Sequence, residues 1–356
     1  MKLLITGICG FVGSTLGREL LNSSEGLQII GLDNLSRPGS ELNRRALRQL
    51  GVIVQHGDIR NPSDLELLPP VDWVIDAAAN PSVLAGVSGV TSSRQLVEHN
   101  LVGTLNLLEY CKRSSAGFIM LSTSRVYSLH SLLKLSVEVR NRGFVPCSTR
   151  ILGPGFTVDG ITESFPTTPP LSLYGSSKLA SEILALEYGA AFQIPIYVNR
   201  CGVLAGAGQF GKADQGIFSY WIHSYAERRP LKYIGFGGSG YQVRDCLHPK
   251  DLIPLLLKQI QSSSKRTSRP INVSGGVKNS LSLAQLSDWC AGRFGRHAVE
   301  CDPKERQFDM PWLILSSKTA EELWDWHCIT PLEVILEEIA NHARENPRWL
   351  DWREEI

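Results

Sequence analysis

Long apolar runs are missing from this sequence of 356 residues, of which 43% are hydrophobic and 20% charged. A membrane-spanning helix needs about 20 consecutive apolar residues. No stretch of the sequence meets that requirement, so we expect no membrane span. The first apolar run starts directly after Lys2, and we therefore also expect no signal peptide before it.

A surplus of one charge sign is missing as well. The chain has 36 basic and 35 acidic side chains, which gives a formal net charge of +1. Proteins that bind nucleic acid through its phosphates carry a clear basic excess. We therefore expect neither nucleic acid nor a membrane surface as a partner.

Closely spaced cysteine pairs are the third absence. The eight cysteines include no CxxC motif and are scattered over the chain, at positions 9, 111, 147, 201, 246, 290, 301 and 328. Disulfide frameworks and zinc sites need closer or more regular spacing. This distribution is typical of reduced thiols, so we expect a cytoplasmic protein without a metal site.

The clearest pattern that is present lies at Lys2–Gly13, KLLITGICGFVG. A short apolar run leads into three glycines spaced three apart, and an amphipathic run follows, which predicts a strand, a tight turn and a helix. Such a turn lets the backbone approach a pyrophosphate, and the positive end of the helix then faces the phosphates. We assign the following turn residues to cofactor binding: Gly7, Gly10, Phe11, Val12 and Gly13.

A second apolar run, residues 27–32, ends at Asp33. An acid about 20 residues beyond the glycines is positioned to bind the ribose hydroxyls of a dinucleotide, and it repels a 2′-phosphate. The sequence therefore predicts NAD as the cofactor rather than NADP. Asn34 and Arg37 follow on the same loop and join the cofactor residues, although Arg37 weakens the argument against NADP. The alternative is a glycine turn in an α/β protein that binds no nucleotide.

Further strands are predicted at residues 51–56, 71–79, 116–121 and 194–198, with helices between them. This alternation predicts an α/β fold with a doubly wound parallel sheet, whose ligands bind at the carboxyl ends of the strands. A helix is expected over 92–112, and Asn100 within it is expected to be buried and to brace the backbone. The residues assigned to the cofactor from this region are Asp58, Ile59, Ala77, Ala78, Ala79 and Asn100.

The composition changes after residue 211, where segments become shorter and tryptophan more frequent. We therefore predict a Rossmann domain over 1–211, with the catalytic helix and sixth strand at 174–204, and a smaller, mainly substrate-binding lobe over 212–356. Within these regions we expect a weak helix at 131–143 and a strand at 271–274.

Tyr174 and Lys178 lie four residues apart on a predicted helix, so both project from one face. An ammonium group beside a phenol lowers the pKa of the phenol, which lets it take a proton from a sugar hydroxyl. Thr123 lies at the end of the fifth strand and could bind the same hydroxyl. The alternative is a surface Tyr–Lys pair without a catalytic role.

The order TGxxGxxG, Asp33, Gly57-Asp58-Ile59, Asn100, Thr123 and YxxxK resembles the extended short-chain dehydrogenase/reductase family, that is, the NAD-dependent epimerases and dehydratases. Within it, the chain is most similar to the CDP-paratose 2-epimerases, also called CDP-tyvelose epimerases. This similarity lies in Asp33-Asn-Leu-Ser-Arg37, His56-Gly-Asp-Ile-Arg-Asn61, Gly103-Thr-Leu-Asn-Leu-Leu-Glu109, Asp214-Gln-Gly216, Gln242-Val-Arg-Asp-Cys-Leu-His248 and Asn279-Ser-Leu-Ser-Leu283.

The resemblance implies tightly bound NAD, a nucleotide-diphospho-sugar substrate, oxidation at sugar C2 with re-reduction from the other face, and a homo-oligomer. It makes Thr123, Tyr174 and Lys178 the catalytic set, with Tyr174, Lys178 and Cys201 also at the cofactor. The residues it assigns to the substrate are Asn80, Thr123, Ser124, Gln209, Gln215, Arg244 and Arg306, of which the two arginines are candidates for the phosphates.

Three positions depart from the family pattern and leave the base and sugar open: Ser128, the stretch 201–206 and Ser316. The related 4,6-dehydratases need an acid pair directly after the active-site threonine, where this chain has Ser124 and Arg125, so dehydration is disfavoured. Two alternatives stay open. One is a UDP-sugar 4-epimerase, and the other is a non-catalytic module that binds NAD.

Overall fold

The computed structural model describes residues 1–87, 92–147, 153–262 and 269–351. The strands of the described residues are β1 (Lys2–Thr6), β2 (Gln28–Asp33), β3 (Ile53–His56), β4 (Trp73–Asp76), β5 (Gly117–Thr123), β6 (Val137–Arg140), β7 (Gly143–Pro146), β8 (Phe156–Thr157), β9 (Gly160–Ile161), β10 (Ile196–Cys201), β11 (Leu231–Ile234), β12 (Val243–Asp245), β13 (Ile271–Val273), β14 (Ser280–Ser282), β15 (Val299–Asp302) and β16 (Trp312–Leu313).

The helices are α1 (Phe11–Ser23), α2 (Glu41–Gln49), α3 (Pro62–Glu66), α4 (Ser93–Val97), α5 (Gly103–Ser114), α6 (Leu129–Leu133), α7 (Leu173–Phe192), α8 (Ile217–Ala226), α9 (Leu252–Gln261), α10 (Leu283–Phe294), α11 (Lys318–Trp324) and α12 (Leu332–Glu345). A π-helical turn, Glu98–Val102, joins α4 to α5. The predicted continuous helix over 92–112 is therefore helical throughout but contains this wider turn.

Seven strands form the central sheet in the order β3-β2-β1-β4-β5-β10-β13. Every pairing between neighbours is parallel, and Leu3 of β1 lies opposite Ile29 on one side and Trp73 on the other. The strand order changes direction at β1, which places a ligand crevice at the carboxyl ends of β1 and β4. The predicted Rossmann fold is confirmed.

Both faces of this sheet are covered, because successive side chains of a strand point to opposite sides. Leu3 and Ile5 of β1 join one apolar core, with helix residues such as Leu16 and Leu252. Leu4 joins the other, with Leu107 of α5. The continuous apolar runs of the sequence are the pattern of strands buried on both faces.

The last strand of the central sheet comes from the carboxyl-terminal part of the chain. β13 pairs with β10, with Asn199 opposite Ile271, and Leu255 of α9 packs in the same core as Leu3. The strand expected at 271–274 is present, but it belongs to the central sheet. The domain boundary at residue 211 stays a prediction, and part of the sheet lies beyond it.

A second group of elements covers the mouth of the sheet. Helices α8, α10 and α12 share a core that includes Trp221, Leu286 and Ile339. Two small sheets lie beside it, with strand orders β14-β12-β16 and β11-β15. Side chains of these elements and the carboxyl ends of the central strands line the two sides of a cleft.

The prediction of a helix at 131–143 is wrong. α6 ends at Leu133, and β6 and β7 then form an antiparallel hairpin in which Arg140 pairs with Gly143. Val137 and Val139 alternate with charged residues, which is a strand pattern, and Asn141 and Arg142 adopt positive φ angles of 47° and 62° in the turn, as two-residue hairpins require. Across the part of the chain that the structure describes, no helix is long and apolar enough to cross a membrane.

Candidate active site

A cleft of about 420 Å³ lies between the carboxyl ends of the central strands and the covering elements. Most of the site residues predicted from the sequence line it: Gly7, Gly10, Phe11, Val12, Gly13, Asp33, Asn34, Arg37, Ile59, Ala77, Ala78, Ala79, Thr123, Ser124, Tyr174, Cys201, Gln209, Gln215, Arg244 and Arg306. The structure therefore brings both halves of the predicted site together around one cavity. Four predicted residues do not line it: Asp58, Asn80, Asn100 and Lys178.

The glycine turn at one end of the cleft leaves no room for side chains. Gly7 has a φ of +63°, which only glycine adopts at little cost. A Cβ at Gly13 would lie 2.1 Å from the carbonyl oxygen of Gly7, and a Cβ at Gly7 would lie 3.0 Å from that of Ala77. Helix α1 therefore starts directly against β1, and its first residues line the cleft, where a helix N-terminus can bind a pyrophosphate.

Asp33 ends β2 with its carboxylate fixed at the same end of the cleft. One carboxylate oxygen accepts a hydrogen bond from the backbone N–H of Cys9 at 2.8 Å, and the other accepts from that of Leu35 at 2.8 Å. Burial raises the pKa of this carboxyl, and the backbone donors oppose that rise. Asp33 lines the cleft, and its assignment to the ribose stays a prediction.

Asp58 lies outside the cleft lining and contacts a residue that belongs to it. Its carboxylate forms an ion pair with Arg60, at 2.6 Å, and accepts a hydrogen bond from the side-chain amide of Asn34, at 3.0 Å. Hydrogen bonds from Arg60 and Asn34 outweigh burial and lower the pKa of the Asp58 carboxyl. Asp58 therefore orients Asn34, which does line the cleft.

Asn100 is 2% exposed and braces the backbone, as its sequence position predicts. Its side-chain oxygen accepts from the backbone N–H of Asn80, and its amide donates to the carbonyl of Asn80 and to the Ser177 hydroxyl. These bonds tie the loop after β4 to α7. Asn100 thus fixes the path of the chain next to Ala77–Ala79 from outside the cleft lining.

Thr123 and Tyr174 meet inside the cleft. Thr123 ends β5, and Tyr174 lies in the first turn of α7, whose N-cap Ser172 accepts a hydrogen bond from the backbone N–H of Gly175. Burial raises the pKa of Tyr174 to about 12, although the nearby Thr123 hydroxyl opposes that rise. The prediction that the pKa of the Tyr174 phenol is lowered is therefore wrong for the protein without bound ligands. The physical reason is burial, since Tyr174 is only 8% exposed.

Lys178 is 2% exposed and lies beneath the cleft. The carboxylates that act on it are those of Asp76 and Glu182, while burial lowers the pKa of its ammonium group. Glu182 is itself held by Arg200 at 2.7 Å in a buried ion pair. The ammonium group is therefore part of a buried charge network, and the sequence pattern YxxxK did not reveal these partners.

Three arginines reach the opposite wall of the cleft. Arg244 donates to the carboxylate of Asp309 at 2.7 Å and to the carbonyl of Met310 at 2.8 Å, and Arg306 donates to the carbonyl of Ala213 at 2.6 Å. Both were predicted from the sequence.

The third, Arg125, donates to the carbonyl of Phe308 at 3.0 Å and was not predicted as a site residue. Its position two residues after Thr123 is the signal that could have identified it. Asp309 was also missed, and it lies in a stretch without a strand or helix pattern. Within the described ranges, no cluster of three or more histidine, cysteine or acidic residues is arranged to hold a metal ion.

Comparison with known proteins gives similarity over most of the chain. Residues 3–274 match the NAD dependent epimerase/dehydratase family. CDP-paratose 2-epimerase from Salmonella typhi is 35% identical over 303 residues, which are 82% of this chain and 85% of that protein. UDP-glucuronate 4-epimerase from Thermodesulfobacterium geofontis (strain OPF15) is 26% identical over 353 residues, 96% of each chain.

Among solved structures, that of UDP-glucuronic acid 4-epimerase from Bacillus cereus, in complex with UDP-glucuronic acid and NAD, has a TM-score of 0.78 at 25% identity. The match covers 97% of this chain and 99% of that one. The two folds therefore agree over their whole length, including the elements that cover the cleft.

Proposed function

This chain belongs to the NAD dependent epimerase/dehydratase family, and from this premise we propose that it is a nucleotide-sugar epimerase of the CDP-paratose 2-epimerase type. One observation carries the proposal: Thr123 and Tyr174 line the same cleft as the glycine turn and Asp33. This supports an acid–base group that acts next to both a cofactor and a sugar. The enzyme is an isomerase.

NAD is the cofactor. The turn at Gly7–Gly13 lines the cleft without side chains at its three glycines, which supports binding of the pyrophosphate there, and we propose that Asp33 binds the adenosine ribose. When bound, NAD supplies a reversible hydride acceptor. Lys178 lies on α7, beneath the cleft, and we propose that it contacts the nicotinamide ribose.

Tyr174 is the proposed acid–base residue. Its ionised phenol would take the proton of the sugar hydroxyl when bound NAD oxidises that carbon, and the protonated phenol would give the proton back when the carbon is reduced again from the other face. The Thr123 hydroxyl positions the oxygen that loses the proton.

Arg244 and Arg306 are the proposed ligands of the substrate diphosphate. Both line the cleft on the wall opposite the glycine turn, and arginine binds phosphate well because its planar group donates two parallel hydrogen bonds. The 35% identity to CDP-paratose 2-epimerase supports a CDP-linked sugar inverted at C2.

A UDP-sugar 4-epimerase is the second candidate. The specific observation in its favour is that UDP-glucuronate 4-epimerase matches 96% of both chains, against 82% of this chain for the 2-epimerase. A non-catalytic NAD-binding module is disfavoured because Thr123, Tyr174 and Lys178 are all present.

One experiment separates these candidates. The enzyme is incubated in deuterated buffer with a panel of CDP-, UDP-, dTDP- and GDP-sugars, and NMR identifies the carbon that inverts. We expect inversion at C2 of a CDP-sugar without deuterium at that carbon, because the hydride returns internally. Inversion at C4 would favour the second candidate, and bound NAD without turnover of any sugar would favour the non-catalytic module. Tyr174→Phe is the matched inactive control.

We also propose a homo-oligomer in a reducing, cytoplasmic compartment. Exposed apolar side chains on α7 and on the elements packed against it, namely α4, the π-helical turn and α5, support self-association. They are Val97, Val102, Leu105 and Ile183, which are 36–57% exposed. All eight cysteines are free thiols, which supports a reducing compartment. Light scattering coupled to gel filtration measures the mass of the assembly, and a monomer at micromolar concentration would contradict self-association.

A further inference from the structure

Residues 208–216 follow β10, precede α8 and contact several walls of the cleft. The members of this segment that line the cleft are Gln209, Phe210, Ala213, Asp214, Gln215 and Gly216. Arg37, on the loop after β2, donates to the carbonyl of Phe210, and Ser82, on the loop after β4, donates to the carboxylate of Asp214. Segment 208–216 is therefore bound to the loops that follow two of the central strands.

The ring of Phe210 contacts two parts of the chain that are far apart in the sequence. A Cβ at Gly39, on the loop after β2, would lie 2.3 Å from Cε1 of this ring, so the ring occupies the space that a side chain would need. Trp349 stacks on the same ring, with the ring centroids 4.9 Å apart and the planes 13° apart. Phe210 thus connects the loop that follows Asp33 with the carboxyl-terminal part of the chain.

Trp349 also fixes the neighbouring residue, Gln209. The indole N–H of Trp349 donates to the carbonyl of Gln209 at 3.1 Å, and the Ser219 hydroxyl donates to the same carbonyl at 2.8 Å. The side-chain amide of Gln209 donates to the carbonyl of Leu204 at 2.9 Å. Both the backbone and the side chain of this cleft residue are therefore held in place.

The position of Trp349 is set from outside the cleft. Trp349 belongs to a short 3₁₀ turn, Trp349–Asp351, and it does not line the cleft. Its ring meets His342 of α12 edge-on, with the centroids 4.5 Å apart. In the same turn, Asp351 forms an ion pair with Arg229, which follows α8. The covering elements therefore hold the indole against segment 208–216.

We propose that Trp349 is a positioning residue that keeps Gln209 and Phe210 in place in the cleft and thereby slows the release of NAD. It acts through the Phe210 ring, whose contact with Gly39 holds the loop after Asp33 against segment 208–216. Its effect on the nucleotide sugar rests on the proposed function, because Gln209 is a predicted substrate residue. Its effect on NAD does not depend on which sugar is converted.

The test measures how fast the purified holoenzyme exchanges its NAD for isotope-labelled NAD added in excess. Trp349→Leu removes both the stacked ring and the N–H donor, so NAD release should be about three- to tenfold faster, the factor expected from one aromatic pair and one hydrogen bond. Trp349→Phe keeps the stacked pair and should release NAD at nearly the rate of the parent.

Trp289→Leu is the matched control. Trp289 is a half-buried indole of α10 in the same covering elements, its N–H donates to Glu333 at 2.9 Å, and it does not line the cleft. The control should release NAD at the rate of the parent. Equal release rates in Trp349→Leu and the parent would overturn the proposal, and so would equally fast release in Trp349→Leu and Trp289→Leu.

A double-mutant cycle tests whether Trp349 acts through Phe210. Phe210→Leu should speed NAD release by a similar factor, and Trp349→Leu should then add little in the Phe210→Leu background, because residues in contact are not additive. Fully additive effects would show that Trp349 acts only on general stability and would overturn the proposal. Phe210→Leu by itself still tests the contact if Trp349→Leu does not fold, since unchanged release would contradict it.

Steady-state kinetics separate this role from a role in the chemical step. With a nucleotide sugar that is converted, Trp349→Leu should raise KM more than it lowers kcat, because Thr123 and Tyr174 are held by β5 and α7. A lower kcat at unchanged KM would contradict the positioning of Gln209. If no nucleotide sugar is converted, the proposed function fails, while the exchange of NAD still decides the role of Trp349.

Discussion

Arg37 donates a hydrogen bond to the side-chain oxygen of Gln215 at 2.5 Å, although the two residues are 178 positions apart in the sequence. Arg37 follows the strand that carries Asp33, and Gln215 precedes α8 in the covering elements. The same guanidinium group also bonds the carbonyl of Phe210. Arg37, which was expected at the cofactor, therefore joins the loop after β2 to the segment before α8.

Loss of the hydrogen bond between Arg37 and Gln215 should weaken the binding of NAD and of the nucleotide sugar. Arg37→Ala removes hydrogen bonds from a charged donor, each worth about 1.5–3 kcal/mol, so we expect KM for the nucleotide sugar to rise about tenfold or more. Calorimetric titration of NAD and steady-state kinetics measure the two effects. Arg45→Ala, at an exposed position of α2, is the control. A KM equal to that of the parent would show that the contact does not hold the cleft.

Asp33→Ala should lower NAD affinity and relax the bias against NADP. The carboxylate contributes ribose hydrogen bonds worth roughly 1–3 kcal/mol, and its removal also takes away a negative charge that repels a 2′-phosphate. The parent should retain NAD through purification, which analysis of the supernatant after denaturation checks. An unchanged ratio of NAD to NADP affinity in the variant would mean that Asp33 does not contact the ribose.

Tyr174→Phe should lower kcat by at least about 100-fold, the usual contribution of a general acid–base group. KM should change little because the ring still fills its buried position. Tyr188→Phe is the control on the same helix, since that hydroxyl bonds Glu109 at the surface. Activity near that of the parent in Tyr174→Phe would assign the proton transfer to another residue.

Arg244→Ala should mainly raise KM for the nucleotide sugar. The residue lies on the wall opposite the cofactor, and breaking a buried charge contact costs about 2–5 kcal/mol. The phosphates do not change charge during hydride transfer, so kcat should fall less than kcat/KM does. The variant also leaves Asp309 unpaired, and Asp309→Asn tests whether that carboxylate limits phosphate binding. A KM within a factor of two of the parent would move the phosphate site to Arg306 or elsewhere.

Glu182→Ala should destabilise the fold. Its carboxylate pairs with Arg200 at 2.7 Å, accepts from Ser122 and is 1% exposed, so its removal leaves an unpaired buried charge, which costs about 3–5 kcal/mol. Urea unfolding of the holoenzyme measures the change, with Glu138→Ala at a more exposed ion pair as control. Equal midpoints for the two variants would show that the buried network contributes little.

The sequence by itself determined the parts of this protein that depend on short-range patterns. Apolar runs of strand length, the spacing of Gly7, Gly10 and Gly13 and the position of Asp33 are local patterns, and they led to the Rossmann fold, the cofactor turn and NAD. The pair Thr123 and Tyr174 could be predicted for the same reason, because a strand end and a helical register place each side chain. The expected bracing role of Asn100 also follows from one polar residue in an apolar helix face.

Only the tertiary structure decided how distant segments meet. β13 joins the central sheet from 70 residues after β10, as the pairing of Asn199 with Ile271 requires, and no local pattern marks that pairing. The partners of Arg37, Lys178 and Arg125 are likewise set by packing between elements. Burial then reverses the pKa shift expected for Tyr174, because the cost of removing a charge from water depends on the surrounding fold and not on sequence spacing.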